Sequence, residues 1–79
     1  MDVLDQLNAI FREVLGNDRL TLTRGSSADE VEGWDSLTHI QLVAAAEKHF
    51  QVKFRAREIR NWKNVGEMSD AITQKLNHP

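Results

Sequence analysis

Asp35-Ser36-Leu37-Thr38-His39-Ile40-Gln41-Leu42-Val43-Ala44-Ala45-Ala46-Glu47-Lys48-His49-Phe50 is the stretch whose reading decides the fold. It contains no glycine or proline, and Asp35 or Ser36 stands where a helix N-cap belongs. The spacing therefore predicts a helix over Ser36–Phe50. A rotation of about 100° per residue separates two apolar stripes on it. Leu42, Val43, Ala46 and Phe50 share one side, with His39 near its centre. Leu37, Ile40 and Ala44 share another, bordered by Gln41, Glu47 and Lys48. The first stripe is wide enough to serve a core. The second is either covered by neighbouring helices or left open as a docking strip for partner proteins. One helix of a small domain seldom buries most of its circumference, which favours the open strip.

Three further segments carry helical periodicity. From about Asp2 to Leu15, Val3, Leu4, Leu7, Ile10, Phe11, Val14 and Leu15 recur at three- and four-residue steps, and Gly16-Asn17 is a stop signal. A short helix is expected at Ala56–Asn61, with Ile59 and Trp62 as its buried residues. A last one is expected at Val65–Leu76, striped by Val65, Met68, Ile72 and Leu76 and capped by Asn64 with Glu67 three residues on. Residues 16–35 form a long connection anchored by Leu20, Leu22 and Val31, in which Ser27-Ala28-Asp29-Glu30 has the spacing of a capping box and starts a helical turn. Loops of this length in small domains are uncommon and often functional. Phe50, Val52 and Phe54 alternate with polar residues and, having no partner strand, read as an extended linker. The fold class that follows is all-α: a bundle of four helices, three of them principal, with a short third helix and a long first loop. It occupies one domain over residues 1–79, with 76–79 frayed.

Composition narrows the function. Seventy-nine residues leave little room for an enclosed active site, so an independent enzyme is not expected. A net charge of −2 gives no electrostatic case for nucleic acid or an anionic membrane. No apolar run reaches the roughly 18 residues of a membrane span, and the N-terminus lacks the pattern of a signal peptide. There is no cysteine, hence no disulfide and no thiolate metal site. His39, His49 and His78 are too widely spaced to suggest a metal site. The expectation is a cytoplasmic monomer that binds no metal.

Gly33-Trp34-Asp35-Ser36-Leu37 lies where the long loop enters the second helix. With this helix order around it, the chain resembles an acyl carrier protein over nearly its whole length. The resemblance implies that a phosphopantetheinyl transferase moves 4′-phosphopantetheine from coenzyme A onto Ser36, flanked by Asp35 and Leu37. The arm's thiol then carries acyl groups as thioesters between enzymes, as in fatty acid or polyketide biosynthesis. Physics suits the assignment, because a helix N-terminus favours the anionic phosphodiester formed there. Leu37, Ile40, Gln41, Ala44 and Glu47 are the expected docking residues, and His39, Ile59 and Trp62 the expected contacts of arm or cargo. His39 either hydrogen-bonds the loop or lines a groove between the second and third helices. Its pairing with Ser36 as a catalytic dyad lacks an orienting acid. Ala46 either leaves room for an acyl chain or simply makes a smaller core.

The chain departs from common fatty-acid carriers, which are acidic along the second helix and dock onto basic patches. Thr38 and Gln41 stand where acidic residues are frequent, and Lys48, His49, Lys53, Arg55, Arg57, Arg60 and Lys63 surround the third helix. This points to an acyl ligase, synthase or transferase of a specialised pathway. Rival functions are an aminoacyl or peptidyl carrier of the same fold, a helical adaptor without a prosthetic group, and a nucleic-acid-binding domain using Arg55, Arg57, Arg60 and Lys63, against which the net negative charge speaks.

Overall fold

Each helix begins and ends for a local reason. The computed structural model describes residues 2–77. Helix α1 spans Val3–Leu15; Asp2 is its cap rather than its first residue, and its carboxylate accepts the Asp5 N–H at 2.8 Å. Gly16 closes it in the left-handed conformation at φ 65°. Helix α2 spans Ser36–Phe50 with Asp35 as N-cap, and Gln51 ends it at φ 57°. Helix α3 spans Ala56–Asn61. Helix α4 spans Val65–Asn77, one residue longer than its periodicity suggested. Of the end expected to fray, residues 76–79, Leu76 and Asn77 instead continue α4, and His78-Pro79 lie outside the described residues.

Helix α1 packs against both α2 and α4. Leu7 and Phe11 from α1, Leu42 and Ala46 from α2, and Val65, Met68 and Ile72 from α4 are sealed from solvent, each at 1% exposure or less. A fully buried side chain of this size contributes about 1.5–3 kcal/mol before conformational entropy is subtracted. Ala46 sits inside this cluster at 0% exposure and does not line the groove beside Ser36. Phe50, expected to open the extended linker, instead closes α2, and Gln51 is its left-handed end; beyond it Val52 and Phe54 are half-buried and Lys53 exposed, so the expected linker is confined to residues 52–54.

Helix α3 is too short to own a core. Ile59 and Trp62 are half-buried rather than buried. It is held from outside: Trp62 stacks edge-on with Phe54 at 4.9 Å between ring centroids, and Glu58 pairs with Lys75 of α4 at 3.2 Å.

The long loop is fastened along two seams. On the α1 side, the buried Asn8 accepts the Leu22 N–H at 2.6 Å and donates to the Leu4 carbonyl, while Arg12 Nε donates to the Leu20 carbonyl at 2.6 Å. On the α4 side, the N–H groups of Val65 and Gly66 donate to the carbonyls of Ser26 and Arg24, both at 2.8 Å. These are helix N-terminal donors that the helix itself cannot satisfy. Between the seams, the N–H groups of Glu30 and Val31 donate to the Ser27 carbonyl, giving the expected turn. Val31 and Trp34 then drop into the core, delivering Asp35 and Ser36 to the head of α2.

Candidate functional site

Ser36 is the first residue of α2 and is exposed. Its presentation depends on its neighbours. Gly33 adopts φ 88°, a conformation other residues resist, and turns the chain so that Trp34 points inward while Asp35 and Ser36 face out. Asp35 Oδ1 accepts the N–H groups of Leu37 and Thr38, both at 3.0 Å. Thr38 Oγ1 reciprocates: it accepts the Asp35 N–H at 2.8 Å and donates to the Gly33 carbonyl at 2.7 Å. This closed Asp35–Thr38 box stiffens the turn around Ser36. Among the described residues none hydrogen-bonds the Ser36 hydroxyl, so the oxygen is presented and unused.

The hydrogen bond from the Thr38 backbone is the first cause holding the Asp35 carboxyl below its ordinary range; desolvation, next in size, opposes it, and the Thr38 hydroxyl and the Leu37 N–H add to the lowering. Such a lowered carboxylate stabilises the fold above its unfolded value and loses that contribution as pH falls through the folded one. Asp35→Ala should lower the thermal midpoint by several degrees, whereas Asp35→Asn, which keeps the acceptor oxygen, should lose less. Paired thermal melts check this; equal losses would remove the cap from the explanation.

Behind Ser36 lies an open groove of about 500 Å³. Trp34, His39, Ile59, Trp62 and Met68 give its apolar and aromatic walls, and Arg60 and Lys63 its charged border. The three sequence-nominated contacts, His39, Ile59 and Trp62, thus come together beside Ser36 and Asp35. His39 does both things considered for it: it lines the groove, and its Nδ1 accepts the Trp34 indole N–H of the loop at 3.1 Å. It also lies nearly parallel to the Trp34 ring at 6.0 Å and meets Trp62 edge-on at 6.4 Å. Trp34 in turn meets Phe11 of α1 edge-on at 5.0 Å, which ties the groove wall to the core.

Burial pushes the His39 imidazole below its ordinary value of 6.5. Protonation would also place a hydrogen on the nitrogen that accepts from Trp34. Below pH 6.5 the unfolded chain therefore takes up a proton that the folded chain refuses. Stability falls as pH drops, until folded His39 itself titrates. Replacing His39 by glutamine should flatten the decline of the thermal midpoint between about pH 6.5 and 5. Melts across that window check this, and an unchanged slope would exonerate His39.

The proposed docking strip is open where it was read as open. Leu37 and Ile40 are 66% and 67% exposed, and Gln41 and Ala44 are exposed beside them. Glu47 differs: it is half-buried, and its Oε2 accepts the Phe54 N–H at 2.8 Å, so its carboxylate serves the α2–linker junction. Thr38, in the sequence only a neutral residue where acids are frequent, is a functional residue of this turn. Its signal was the three-residue spacing from Asp35, the spacing that had marked Asn64 and Glu67. At that second site Glu67 N–H reaches Asn64 Oδ1 at 2.9 Å, but the Glu67 carboxylate returns to the Lys63 N–H. Among the described residues no cluster could hold a metal ion, and no helix is long and apolar enough to cross a membrane.

Comparison with known proteins agrees with this geometry. The family model described as the phosphopantetheine attachment site matches residues 5–72. An acyl carrier protein of Onion yellows phytoplasma (strain OY-M) is 31% identical over 72 residues, covering 91% of this chain and 95% of that one. The solution structure of a holo acyl carrier protein from Geobacter metallireducens superposes with a TM-score of 0.88 at 40% identity, covering all of this chain and 95% of that one. With the family model spanning most of its length and the four-helix architecture in common, the chain belongs to the acyl carrier proteins of the phosphopantetheine attachment family.

Proposed function

We propose that Ser36 Oγ is the point at which the 4′-phosphopantetheine group of this carrier is attached, with Asp35 and Leu37 as the flanking residues read by the loading transferase. The observation that carries the reading is a solvent-exposed hydroxyl, without a hydrogen bond to the described residues, on the first residue of a 15-residue helix. When bound, the group supplies a thiol that holds an acyl chain as a thioester. The chain's own residues do the rest. Asp35 and Thr38 fix the turn, and the positive end of the α2 dipole favours a phosphodiester at Ser36. Arg60 and Lys63 border the groove through which an anionic linkage would lie. His39, Ile59 and Trp62 form the surface that meets arm or cargo, and Leu37, Ile40, Gln41 and Ala44 the strip that meets enzymes. Residues 1–79 form one carrier domain, and the carrier is a cytoplasmic monomer. It serves an acyl ligase, synthase or transferase of a specialised fatty acid or polyketide pathway, because the neutral first turn of α2 and the basic α3 suit other partners than the common basic ones.

As an acyl carrier protein the chain is a substrate of other enzymes and not itself a catalyst. Incubation with coenzyme A, magnesium and a broad-specificity phosphopantetheinyl transferase should add the mass of one phosphopantetheine. Peptide mapping should place it on the fragment holding Ser36. A gain on any other residue would refute the assignment.

A further inference from the structure

Charge is segregated along this chain. Residues 1–35 hold eight acids against three bases, whereas residues 36–64 hold two acids against six bases: Lys48, Lys53, Arg55, Arg57, Arg60 and Lys63. Both acids of the second segment are engaged internally. Glu47 receives the Phe54 N–H, and Glu58 receives the Arg55 N–H at 2.9 Å while pairing with Lys75. The six bases are all exposed. None lies within ion-pair distance of a carboxylate among the described residues, although Arg55 stands close enough to Glu58 to help hold its carboxyl low.

This positive segment frames the place an enzyme must reach. Arg60 and Lys63 line the groove that starts at Ser36. Leu37 and Ile40 stand open one and four residues further along α2, whose first turn carries no acid; the carboxylate lining the same groove is that of the cap, Asp35, whose Oδ1 is engaged by the Leu37 and Thr38 N–H groups. Two large aliphatic side chains beside unpaired cations call for an apolar pocket rimmed by carboxylates. We infer that the α2–α3 face docks onto acidic protein surfaces, the reverse of the arrangement in common fatty-acid carriers. The inference rests on Ser36 as the attachment point, since that is what brings enzymes to this face. A polyanion such as nucleic acid would be drawn to the same cations but repelled by the chain's overall charge of −2, and a phosphate backbone offers nothing to Leu37 and Ile40. Complementary charge raises the rate of encounter by about 10–1,000-fold and is screened by salt.

The test uses two designed helical peptides with identical leucine anchors, one rimmed by glutamates and one by lysines, titrated into the isotope-labelled apo chain. The glutamate peptide should shift the amides of Leu37, Ile40, Arg60 and Lys63, and should bind about tenfold more weakly when NaCl rises from about 20 to about 300 mM. An Arg60→Glu/Lys63→Glu variant with unchanged circular dichroism should prefer the lysine peptide. Equal or stronger binding of the lysine peptide to wild type, or no shift with either, overturns the inference. So does a larger shift of the same amides by a mixed-sequence DNA duplex, by phosphatidylglycerol vesicles or by raised concentration of the chain itself. Because no arm is needed in these titrations, a chain that fails to load in the transferase assay sinks the Ser36 assignment separately.

Discussion

Replacing Ser36 by alanine should abolish phosphopantetheine loading completely and leave the thermal midpoint within about 3 °C of wild type. The two halves of this result have one cause. The Ser36 hydroxyl makes no hydrogen bond to the described residues and is exposed, so removing it breaks nothing in the fold. The cap belongs to Asp35, whose Oδ1 takes two N–H groups. Alanine is also at home in the first turn of a helix. Loading, in contrast, requires an oxygen at this position to form the bond to phosphorus, and alanine offers none. Intact mass after transferase treatment and a melting curve on the same sample read the two halves. Loading of the alanine variant at the wild-type level would move the attachment point elsewhere. A collapse of the melting temperature would mean that Ser36 holds the turn, which the hydrogen bonds assign to Asp35 and Thr38.

How legible this was in the sequence depends on the distance over which each cause acts. The bounds of α2 and α3 can be read from local spacing because caps and stripes act within a few residues. The second stripe of α2 was also visible, since Leu37, Ile40 and Ala44 fall off the core face by rotation alone. Its exposure could not be settled from within α2: it depends on α1 and the core cluster consuming the other stripe. The loop was harder. Leu20 and Leu22 were visible as anchors, but the groups that hold their backbone, Arg12 and Asn8, sit 8 and 14 residues away. The faint clue was Asn8 itself, a polar residue between Leu7 and Ile10 that ends up buried. Thr38 is hard to read for a different reason. Set against acidic relatives it registered as a lost charge, when its role is the reciprocal hydrogen bond to the Asp35 N–H. His39 left two roles open because the indole N–H that fixes its ring and the helix that walls its groove come from opposite sides. Only the fold shows that the two roles are compatible.

Gly66→Ala should be the most destabilising single-methyl addition in the loop-to-α4 seam, by about 2 kcal/mol, lowering the midpoint by on the order of 10 °C. Propensity argues the other way, because alanine in a helix is better than glycine by about 1 kcal/mol. Sterics win here. A Cβ on Gly66 would stand 2.8 Å from the Arg24 carbonyl oxygen and 3.2 Å from both Arg24 Cβ and Asn64 Oδ1. That oxygen is the same one that accepts the Gly66 N–H at 2.8 Å, so it cannot retreat without leaving the donor unpaired. Gly25 is the control: a Cβ there meets nothing within 4 Å, and alanine should be neutral or stabilising by about 0.5 kcal/mol. Amide exchange separates a local from a global failure. Val65 and Gly66 should lose protection in the Gly66 variant, while Leu22, bonded to Asn8 on the other seam, keeps its own. Loss of protection at Leu22 as well would mean that the two seams are one cooperative unit. The path from loop to Trp34, Asp35 and Ser36 would then depend on α4 as much as on α1.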